Sequence, residues 1–373
     1  MTSRPFAFSS RAFWATAMVA EGFTRERVSA KKAISMSPEV EPCPGPGQRV
    51  LSAPNRSNSQ ALRRPGKRAN ASLTINLSVP GHSRFPLREN WPVSKSLPEM
   101  RMQKDAQGVW TAAYGEFVLG TAFQPIFRFE NGRLTPVACE ALLRVSRNGN
   151  PVLTDAFFSV LDKQAFTALE PELRRLHIRN AAHVPSPERR LFLNFDPRVP
   201  EHPVRFERAL RDLGDELRSA GISPADIVCE ITEAETQNKA ALTHFAYELR
   251  ARGYMIAIDD FGAHASRPDR VAAIAPDIVK FDGKLVKRML QTPSGIATLR
   301  LMVQQFDREG INSVLEGLEA LWELSPAEST GAALVQGYML AAPRLAGPQF
   351  GAWLAQYRPQ PQTPATTLVK TFR

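Results

Sequence analysis

Three short apolar segments near the middle of the chain decide the fold: residues 227–231 read Ile-Val-Cys-Glu-Ile, residues 255–258 read Met-Ile-Ala-Ile, and residues 278–281 read Ile-Val-Lys-Phe. These segments are rich in β-branched residues, and longer amphipathic stretches lie between segments of this kind. Short apolar runs bounded in this way are typical of strands buried on both faces of a parallel sheet. The centre of the chain therefore predicts a repeated strand–helix unit.

The same alternation extends in both directions along the chain, about eight times over. The predicted strands are Ala122–Phe127, Val137–Leu143, Leu191–Phe195, Ile227–Ile231, Met255–Ile258, Ile278–Phe281, Ser313–Leu315 and Leu334–Tyr338. The predicted helices include Asp155–Leu169, Val204–Ala220, Glu235–Arg252, Gly295–Glu309 and Ala320–Ser329. Eight such units in about 250 residues predict an α/β fold with mostly parallel strands, closed as a TIM-type (β/α)8 barrel.

The predicted barrel occupies residues 103–355, between an N-terminal segment at 1–102 and a C-terminal tail at 356–373. Residues 1–100 contain 15 of the 47 Lys and Arg residues, 6 of the 37 Asp and Glu residues, 11 Pro and 14 Ser. The net charge of +10 therefore belongs to this segment, and the rest of the chain is nearly neutral. Such a segment cannot bury enough apolar surface to offset its ordering entropy, so we expect it to be disordered.

Other interpretations of the N-terminal segment stay open. One is that the true start codon is Met100 or Met102 and that the segment is not part of the native protein. The apolar patch Ala12–Ala20 is a poor signal peptide, because Met18 stands where a cleavage site needs a small residue. The basic run at 63–68 lacks interleaved aromatic residues, so we do not expect nucleic acid as a partner.

The three cysteines exclude a disulfide scaffold and a four-cysteine zinc site, because no two of them lie close together in the sequence. This cysteine usage predicts a reducing compartment, and we expect the protein to be cytoplasmic. The nine-residue patch at 12–20 is far too short to span a bilayer, so no membrane association is expected.

Polar residues stand at or near the carboxyl ends of the predicted strands. They are Glu140, Asn194, Glu230, Asp259, Asp260, Lys280, Glu316 and Gln336. In a parallel barrel the carboxyl ends of the strands meet at one mouth, so these side chains are expected to converge there. A single acid at a strand end is more often a helix cap or a solvated loop residue, but the complete set is far more specific.

Several carboxylates in one barrel mouth repel one another unless cations join them. The set is rich in oxygen ligands and contains no His or Cys at metal-ligand spacing, which favours Mg²⁺ or Mn²⁺ over zinc. Two such ions about 4 Å apart are the usual device for in-line attack on a phosphodiester. The pattern therefore predicts a two-ion hydrolytic site.

The sequence around these residues resembles the EAL domain family, bacterial phosphodiesterases that hydrolyse cyclic di-GMP to the linear dinucleotide. The signature stretch is Glu140-Ala141-Leu142-Leu143-Arg144. Further stretches follow in the family's order over about residues 105–355: Phe123-Gln124-Pro125-Ile126, Leu193-Asn194-Phe195-Asp196-Pro197, Glu230-Ile231-Thr232-Glu233, Asp259-Asp260-Phe261-Gly262, Lys280-Phe281-Asp282, Glu316-Gly317-Leu318-Glu319 and Gln336-Gly337-Tyr338.

The resemblance implies a role for each matching residue. Ligands of one metal ion would be Glu140, Asn194, Glu230 and Asp259, whereas Asp260 and Glu316 would serve the second ion or its water. Lys280 would hold or help to activate the nucleophilic water, and Gln336 would position the substrate or a water. Substrate contacts would come from Gln124, Leu142 and Arg144, and Glu233 would support the loop that follows the strand ending at Asp259. Cyclic di-GMP and a homodimer are the implied partners.

Plainer interpretations compete with some of these roles. Arg144 would then be a solvated surface arginine, Leu142 a core residue, and Lys280 the partner of Asp282 in an ion pair. Cys139 and Cys229, each next to an acid, are interpreted as small buried apolar residues rather than metal ligands.

The chain departs from the family pattern after Gly262. Residues 263–270 read Ala-His-Ala-Ser-Arg-Pro-Asp-Arg, and His264 stands where most active members have a second glycine. The family uses this loop in metal binding and dimerisation. A second hypothesis therefore stands beside the phosphodiesterase: a catalytically silent EAL module that binds cyclic di-GMP or a protein partner as a receptor. We interpret His264 as a loop residue without a catalytic role.

Overall fold

The computed structural model describes residues 99–130, 132–186, 188–196, 203–232, 239–263 and 268–357, which belong to one compact unit. Most of the predicted N-terminal segment and most of the predicted tail lie outside these residues. The boundaries at 103 and 355 stay predictions, although Arg101 and Met102 already belong to the first strand and the ring of Tyr357 packs on Phe127.

The described residues form strands and helices that alternate after an initial antiparallel sheet. The strands are β1 Arg101–Lys104, β2 Trp110–Tyr114, β3 Phe117–Glu130, β4 Arg133–Arg147, β5 Asn150–Val152, β6 Leu191–Phe195, β7 Ile227–Thr232, β8 Met255–Phe261, β9 Ile278–Phe281, β10 Asn312–Leu315, β11 Leu334–Val335 and β12 Arg344–Leu345. The helices are α1 Thr154–Ser159, α2 Lys163–Asn180, α3 Pro203–Ala220, α4 Lys239–Ala251, α5 Pro268–Ile274, α6 Gly283–Leu290, α7 Pro293–Arg308, α8 Leu324–Ser329 and α9 Phe350–Ala355.

Eight of these strands close into a barrel. Their order around it is β3-β11-β10-β9-β8-β7-β6-β4, and pairing between β3 and β4 completes the ring. Within the ring, the neighbouring strands in the run β4-β6-β7-β8-β9-β10-β11 pair in parallel, which confirms the predicted barrel. The larger core lies between the outer faces of the strands and the surrounding helices, and a smaller apolar cluster fills the interior.

One strand departs from the parallel arrangement of the others, as a mostly parallel barrel allows. Strand β3 runs antiparallel to both of its neighbours, β4 and β11, so its carboxyl end points away from the mouth. The physical reason is the short connection between Glu130 and Arg133, because only antiparallel strands can be joined by so few residues. Gln124 still reaches the mouth, because it lies directly opposite Glu140 in the β3–β4 register.

The other differences are local. The predicted helix Asp155–Leu169 is two helices, because the side chain of Asp162 accepts a hydrogen bond from Ala165 N and caps the start of α2. The predicted strand Leu334–Tyr338 ends at Val335. No helix among the described residues is both long enough and apolar enough to cross a bilayer.

Candidate functional site

The barrel interior has two layers of side chains, and one polar layer forms its mouth. The apolar layer takes one residue from each strand: Ile126, Ala138, Phe192, Val228, Ala257, Ile278, Val314 and Leu334. Two residues nearer the mouth, in the same strands or one residue past the ends of β10 and β11, lie Gln124, Glu140, Asn194, Glu230, Asp259, Lys280, Glu316 and Gln336. Because side chains alternate between the two faces of a strand, residues two apart share a face. The structure therefore brings these eight predicted site residues into one layer.

Asp260 joins this layer through a break in the regular pattern of β8. Consecutive residues normally point to opposite faces, but the β8–β9 register shifts between Ile258 and Phe261. Asp260 itself has φ of +57°, a left-handed conformation that Asp tolerates better than most residues. The resulting bulge leaves one oxygen each of Asp259, Asp260 and Glu316 within 4.8 Å of one another.

The ammonium group of Lys280 lies among four carboxylates at the centre of the polar layer. Its Nζ is 2.5 Å from Glu230 Oε1, 2.7 Å from Glu316 Oε1, 3.1 Å from Asp259 Oδ1 and 3.6 Å from Glu140 Oε2. The side chain of Lys280 is only 1% exposed, and that of Glu230 is completely buried. One positive charge therefore faces up to four negative charges where water screens them weakly.

The excess of negative charge shifts the pKa values of the groups. Burial by itself would lower the pKa of Lys280, but the carboxylates, Asp259 first, raise it well above its usual value. Burial raises the pKa of Glu230 well above the usual range, and repulsion from Glu140 and Asp259 adds to the effect against the attraction of Lys280. Burial likewise raises the pKa of Glu316 to about 8, although Lys280 opposes the shift. Without a bound cation, Glu230 and Glu316 therefore favour their protonated, neutral forms.

The oxygen atoms of this layer fit a hard divalent cation. Among the described residues, neither oxygen of Glu230 nor Oδ1 of Asp259 has a hydrogen-bond donor of suitable geometry, although Lys280 lies within ion-pair distance of both residues. Buried oxygens without donors cost free energy unless a cation or a proton joins them. Carboxylates grouped in this way are the ligands that Mg²⁺ and Mn²⁺ prefer.

The two glutamines hold neighbouring groups of the site. Gln336 is buried, and its Nε2 donates a hydrogen bond to Glu140 Oε2 over 2.8 Å. Gln124 is also buried, and its Nε2 donates to the carbonyl oxygen of Ala341 over 3.2 Å. Gln336 therefore orients a carboxylate of the layer, whereas the amide of Gln124 ties β3 to the segment after β11.

The predicted substrate residues Leu142 and Arg144 follow Glu140 on the same face of β4, on the mouth side of the polar layer. Both are partly buried, and the Arg144 guanidinium donates to the carbonyl oxygen of Leu143 over 2.9 Å. Asn194 is exposed and lies beside Glu230 in the β6–β7 register. These positions leave the three side chains at the entrance of the barrel.

Several competing interpretations can now be compared with the structure. The side chain of Asp282 accepts a hydrogen bond from Leu285 N and caps α6, whereas Lys280 pairs with the four carboxylates, so the expected Lys280–Asp282 alternative is wrong. Cys139 and Cys229 are buried free thiols in the larger core, as predicted, and burial raises the pKa of both. The predictions for Glu233 and His264 lie outside the described residues.

Sequence reasoning missed Glu323, which supports the loop after Glu316. Glu323 is fully buried, and its Oε2 accepts hydrogen bonds from Glu319 N over 2.7 Å and from Ala320 N over 2.9 Å. The sequence signal was the glutamate three residues after Ala320, at the start of a helical turn, which is the spacing of a glutamate that reaches back to the helix start.

The comparisons with known proteins agree with this geometry. The EAL domain matches residues 115–343 of the chain. The "Probable cyclic di-GMP phosphodiesterase PdeA" of Escherichia coli (strain K12) is 28% identical over 124 residues, which are 33% of this chain and 17% of that protein. The "Cyclic di-GMP phosphodiesterase RocR" of Pseudomonas aeruginosa is 30% identical over 145 residues, which are 38% of this chain and 37% of that protein.

A solved structure supports the same relationship. The Klebsiella pneumoniae BlrP1 calcium/cy-diGMP complex is 28% identical, with a TM-score of 0.55 over 61% of this chain and 56% of that chain. The matches cover 17% and 37% of the lengths of the two curated relatives named above. Their activities are therefore not carried over to this chain by the match alone. Because the family match covers more than half of its residues, this chain belongs to the EAL domain family.

Proposed function

We propose that this protein hydrolyses cyclic di-GMP to linear 5′-pGpG with two divalent ions, Mg²⁺ or Mn²⁺, and so lowers this second messenger in bacterial signalling. The observation that carries the proposal is the polar layer, in which carboxylates of four different strands surround the buried Lys280. Curated relatives named as cyclic di-GMP phosphodiesterases and a neighbour solved with calcium and cyclic di-GMP support it.

The ligand residues are assigned from the family resemblance, and the oxygens of Glu230 and Asp259 without donors and the clustered oxygens of Asp259, Asp260 and Glu316 support the assignment. In this assignment Glu140, Asn194, Glu230 and Asp259 would hold one ion, and Asp260 and Glu316 would hold the second. When bound, two such ions polarise the phosphodiester and lower the pKa of the attacking water. Gln336 fixes the direction of the Glu140 carboxylate through its hydrogen bond, which limits the positions this ligand can take.

Lys280 acts as a hydrogen-bond donor in this mechanism. A lysine side chain is ordinarily an ammonium at neutral pH, so Lys280 cannot take a proton from water. It holds the attacking oxygen as that oxygen loses its proton, and the negative charge that develops is stabilised by the ammonium. Hydrolysis then forms the bond from the water oxygen to phosphorus and breaks the P–O3′ bond, and the proton that the water releases to solvent is balanced by the proton that the departing 3′ oxygen takes up.

Binding of the substrate falls to residues at the entrance of the barrel. Arg144 offers a planar guanidinium to phosphate oxygens, in exchange for its present bond to the Leu143 carbonyl. Leu142 would line the groove beside the substrate, and Gln124 would hydrogen-bond to it after leaving Ala341. Glu233 is proposed to support the loop after β8. The activity is proposed for the cytoplasm, in agreement with two buried free thiols, and a homodimer stays a prediction from the family.

The direct test is incubation of the full chain with cyclic di-GMP and either Mg²⁺ or Mn²⁺, with the products separated by HPLC. We expect turnover with both metals. EDTA should abolish this turnover, and excess Mg²⁺ or Mn²⁺ should restore it. Ca²⁺ is expected to be a poor substitute, because it prefers a larger and looser shell of ligands. Full activity in the presence of the chelator would contradict the mechanism.

The receptor hypothesis is the second candidate, and the altered sequence at 263–270 favours it. Lys280→Ala separates the two. Under the phosphodiesterase proposal turnover falls about a hundredfold or more, while affinity for cyclic di-GMP changes much less because Arg144 and the ligand residues persist. Calorimetry and HPLC on both proteins make the comparison. A parent protein that binds cyclic di-GMP but does not cleave it with either metal would establish the receptor instead.

A further inference from the structure

At the carboxyl end of β6, the edge of the strand that faces β4 has no strand paired with it among the described residues. Strands β4 and β6 pair only at Cys139–Leu191 and Glu140–Phe192. Cys139 N donates to the carbonyl oxygen of Arg190, which shows the edge of β6 that faces β4. Because peptide groups alternate between the two edges of a strand, the carbonyl of Asn194 and the N–H of Asp196 face the same side, beyond the end of that pairing.

Two charged side chains of α2 satisfy these two backbone groups. Arg174 Nη1 donates to the carbonyl oxygen of Asn194 over 3.4 Å, and Glu170 Oε1 accepts from Asp196 N over 3.1 Å. Glu170 and Arg174 also form an ion pair with each other across one helical turn. Together they take the place of the missing strand along the segment that contains Asn194.

The pair is buried and held rigidly. The side chain of Arg174 is 5% exposed and that of Glu170 is 10% exposed. The guanidinium carbon of Arg174 lies 4.1 Å from the centre of the Phe195 ring, in cation–π geometry. A buried ion pair contributes little net stability, because desolvation cancels most of its attraction. Its hydrogen bonds to the Asn194 carbonyl and the Asp196 N–H are better explained by the geometry they impose on this segment.

We propose that Glu170 and Arg174 are positioning residues that hold Asn194 at the barrel mouth so that its side chain can serve as a divalent-ion ligand. The inference rests on the proposed function, which makes Asn194 a ligand. The pair binds main-chain atoms of Asn194 and Asp196. These contacts fix the position of the Asn194 Cα atom and so the direction of its side chain. Groups that orient a metal ligand typically account for 10–100-fold in metal affinity.

The test uses Mn²⁺ affinity, read by the EPR signal of free Mn²⁺, so that it does not depend on turnover. The variant Glu170→Gln/Arg174→Met replaces the ion pair by neutral side chains of similar volume, which avoids leaving one buried charge unpaired. It is combined with Asn194→Ala in a double-mutant cycle on the full chain, and thermal unfolding of each protein shows that it is folded. We expect the neutral pair variant to bind Mn²⁺ about tenfold more weakly.

The cycle distinguishes positioning from a general structural role. If the pair acts through Asn194, adding its replacement to Asn194→Ala should cause no further loss of Mn²⁺ affinity. Losses that multiply, or a folded pair variant with parental affinity, would overturn the inference while leaving the metal site intact. A parent protein that binds no Mn²⁺ would overturn both the proposed function and the inference.

The matched control is Arg175→Met, which breaks an ion pair on the same helix. Arg175 Nε lies 3.2 Å from Glu216 Oε2 on α3 and has no hydrogen bond to β6 among the described residues. We expect this variant to bind Mn²⁺ as the parent does. A loss equal to that of the neutral pair variant would assign the effect to general loosening of α2 and would overturn the inference.

Discussion

The two layers inside the barrel come from the same strands and differ in what they contribute. The apolar layer is at most 7% exposed, and it pairs small residues such as Ala138 and Ala257 with the large ring of Phe192. The polar layer, two residues away on each strand, gathers four carboxylates around Lys280 and leaves buried oxygens without donors.

This difference shows how one backbone separates stability from function. Burial of apolar side chains stabilises the barrel, whereas desolvated and mutually repelling carboxylates oppose folding until cations join them. The active mouth of such barrels generally carries function, and the rest of the interior carries stability. Substitutions in the two layers should therefore change different measured quantities.

The largest expected effects come from comparing one substitution in the apolar layer, which should change stability, with one in the polar layer, which should change metal affinity and turnover. Phe192→Ala removes a fully buried ring and should lower the free energy of unfolding by about 3–5 kcal/mol. Glu140→Gln keeps the volume and removes a repelling charge, so the metal-free protein should be at least as stable as the parent, while Mn²⁺ affinity and turnover fall together. Urea unfolding in EDTA and HPLC turnover make the comparison. Parental turnover by Glu140→Gln would reject its assignment as a ligand.

Alkaline pH should destabilise the metal-free protein through the polar layer. The pKa of Glu316 is about 8 in the folded protein and lies near 4.5 when the group is free, so between these values the folded state binds more protons than the unfolded state. The free energy of unfolding must then fall as pH rises, on the order of 3 kcal/mol between pH 5 and 8. Lys280, with its raised pKa, stays protonated throughout and adds no slope.

Urea unfolding in EDTA at pH 5.5 and pH 8.5 measures this slope. Glu316→Gln should reduce it, with the remainder due to Glu230, whose pKa is also raised, and Mn²⁺ should restore stability to the parent at the higher pH. Equal stability of the metal-free parent at both pH values would show that the folded protein does not bind extra protons at these carboxylates.

Acid pH should act at a different place, outside both layers. His177 lies on α2, its Nδ1 is 2.8 Å from Thr121 Oγ1, and burial, followed by the charges of Arg174 and Arg144, lowers its pKa to about 3. Below pH 6.5 the unfolded state takes up the proton and the folded state does not. The contribution of His177 to the free energy of unfolding should therefore fall by about 2 kcal/mol between pH 7 and pH 5, opposite in sign to that of Glu316, and it is measured as the difference between the parent and His177→Gln. His177→Gln should reduce this loss, whereas the same change at the exposed His244 should leave it as in the parent.

The smallest effect isolates the bulge at Asp260. Asp260→Ala and Asp260→Gly both remove the carboxylate, but only glycine adopts φ of +57° without steric cost. The alanine variant should be about 1 kcal/mol less stable than the glycine variant. Equal stabilities in urea unfolding would mean that the left-handed conformation at this residue is not retained.

Much of the fold could be predicted because local patterns are strong in this chain. The strands Leu191–Phe195 and Ile278–Phe281 have the predicted bounds, since short apolar runs between amphipathic helices leave few alternatives. The polar layer was predictable for the same reason, because alternation along a strand fixes which residues share a face. The break between α1 and α2 was missed because a single capping aspartate, Asp162, decides it within a continuous amphipathic stretch.

The sequence by itself determined the strand–helix alternation and the identity of the polar residues at the mouth, because both depend on spacing along the chain. Only the tertiary structure decided the bulge that turns Asp260 toward Asp259 and the place of Lys280 among four carboxylates. It also decided the contact of Glu170 and Arg174 with the end of β6. These features join segments far apart in sequence, and their geometry depends on how strands and helices pack, which no local pattern records.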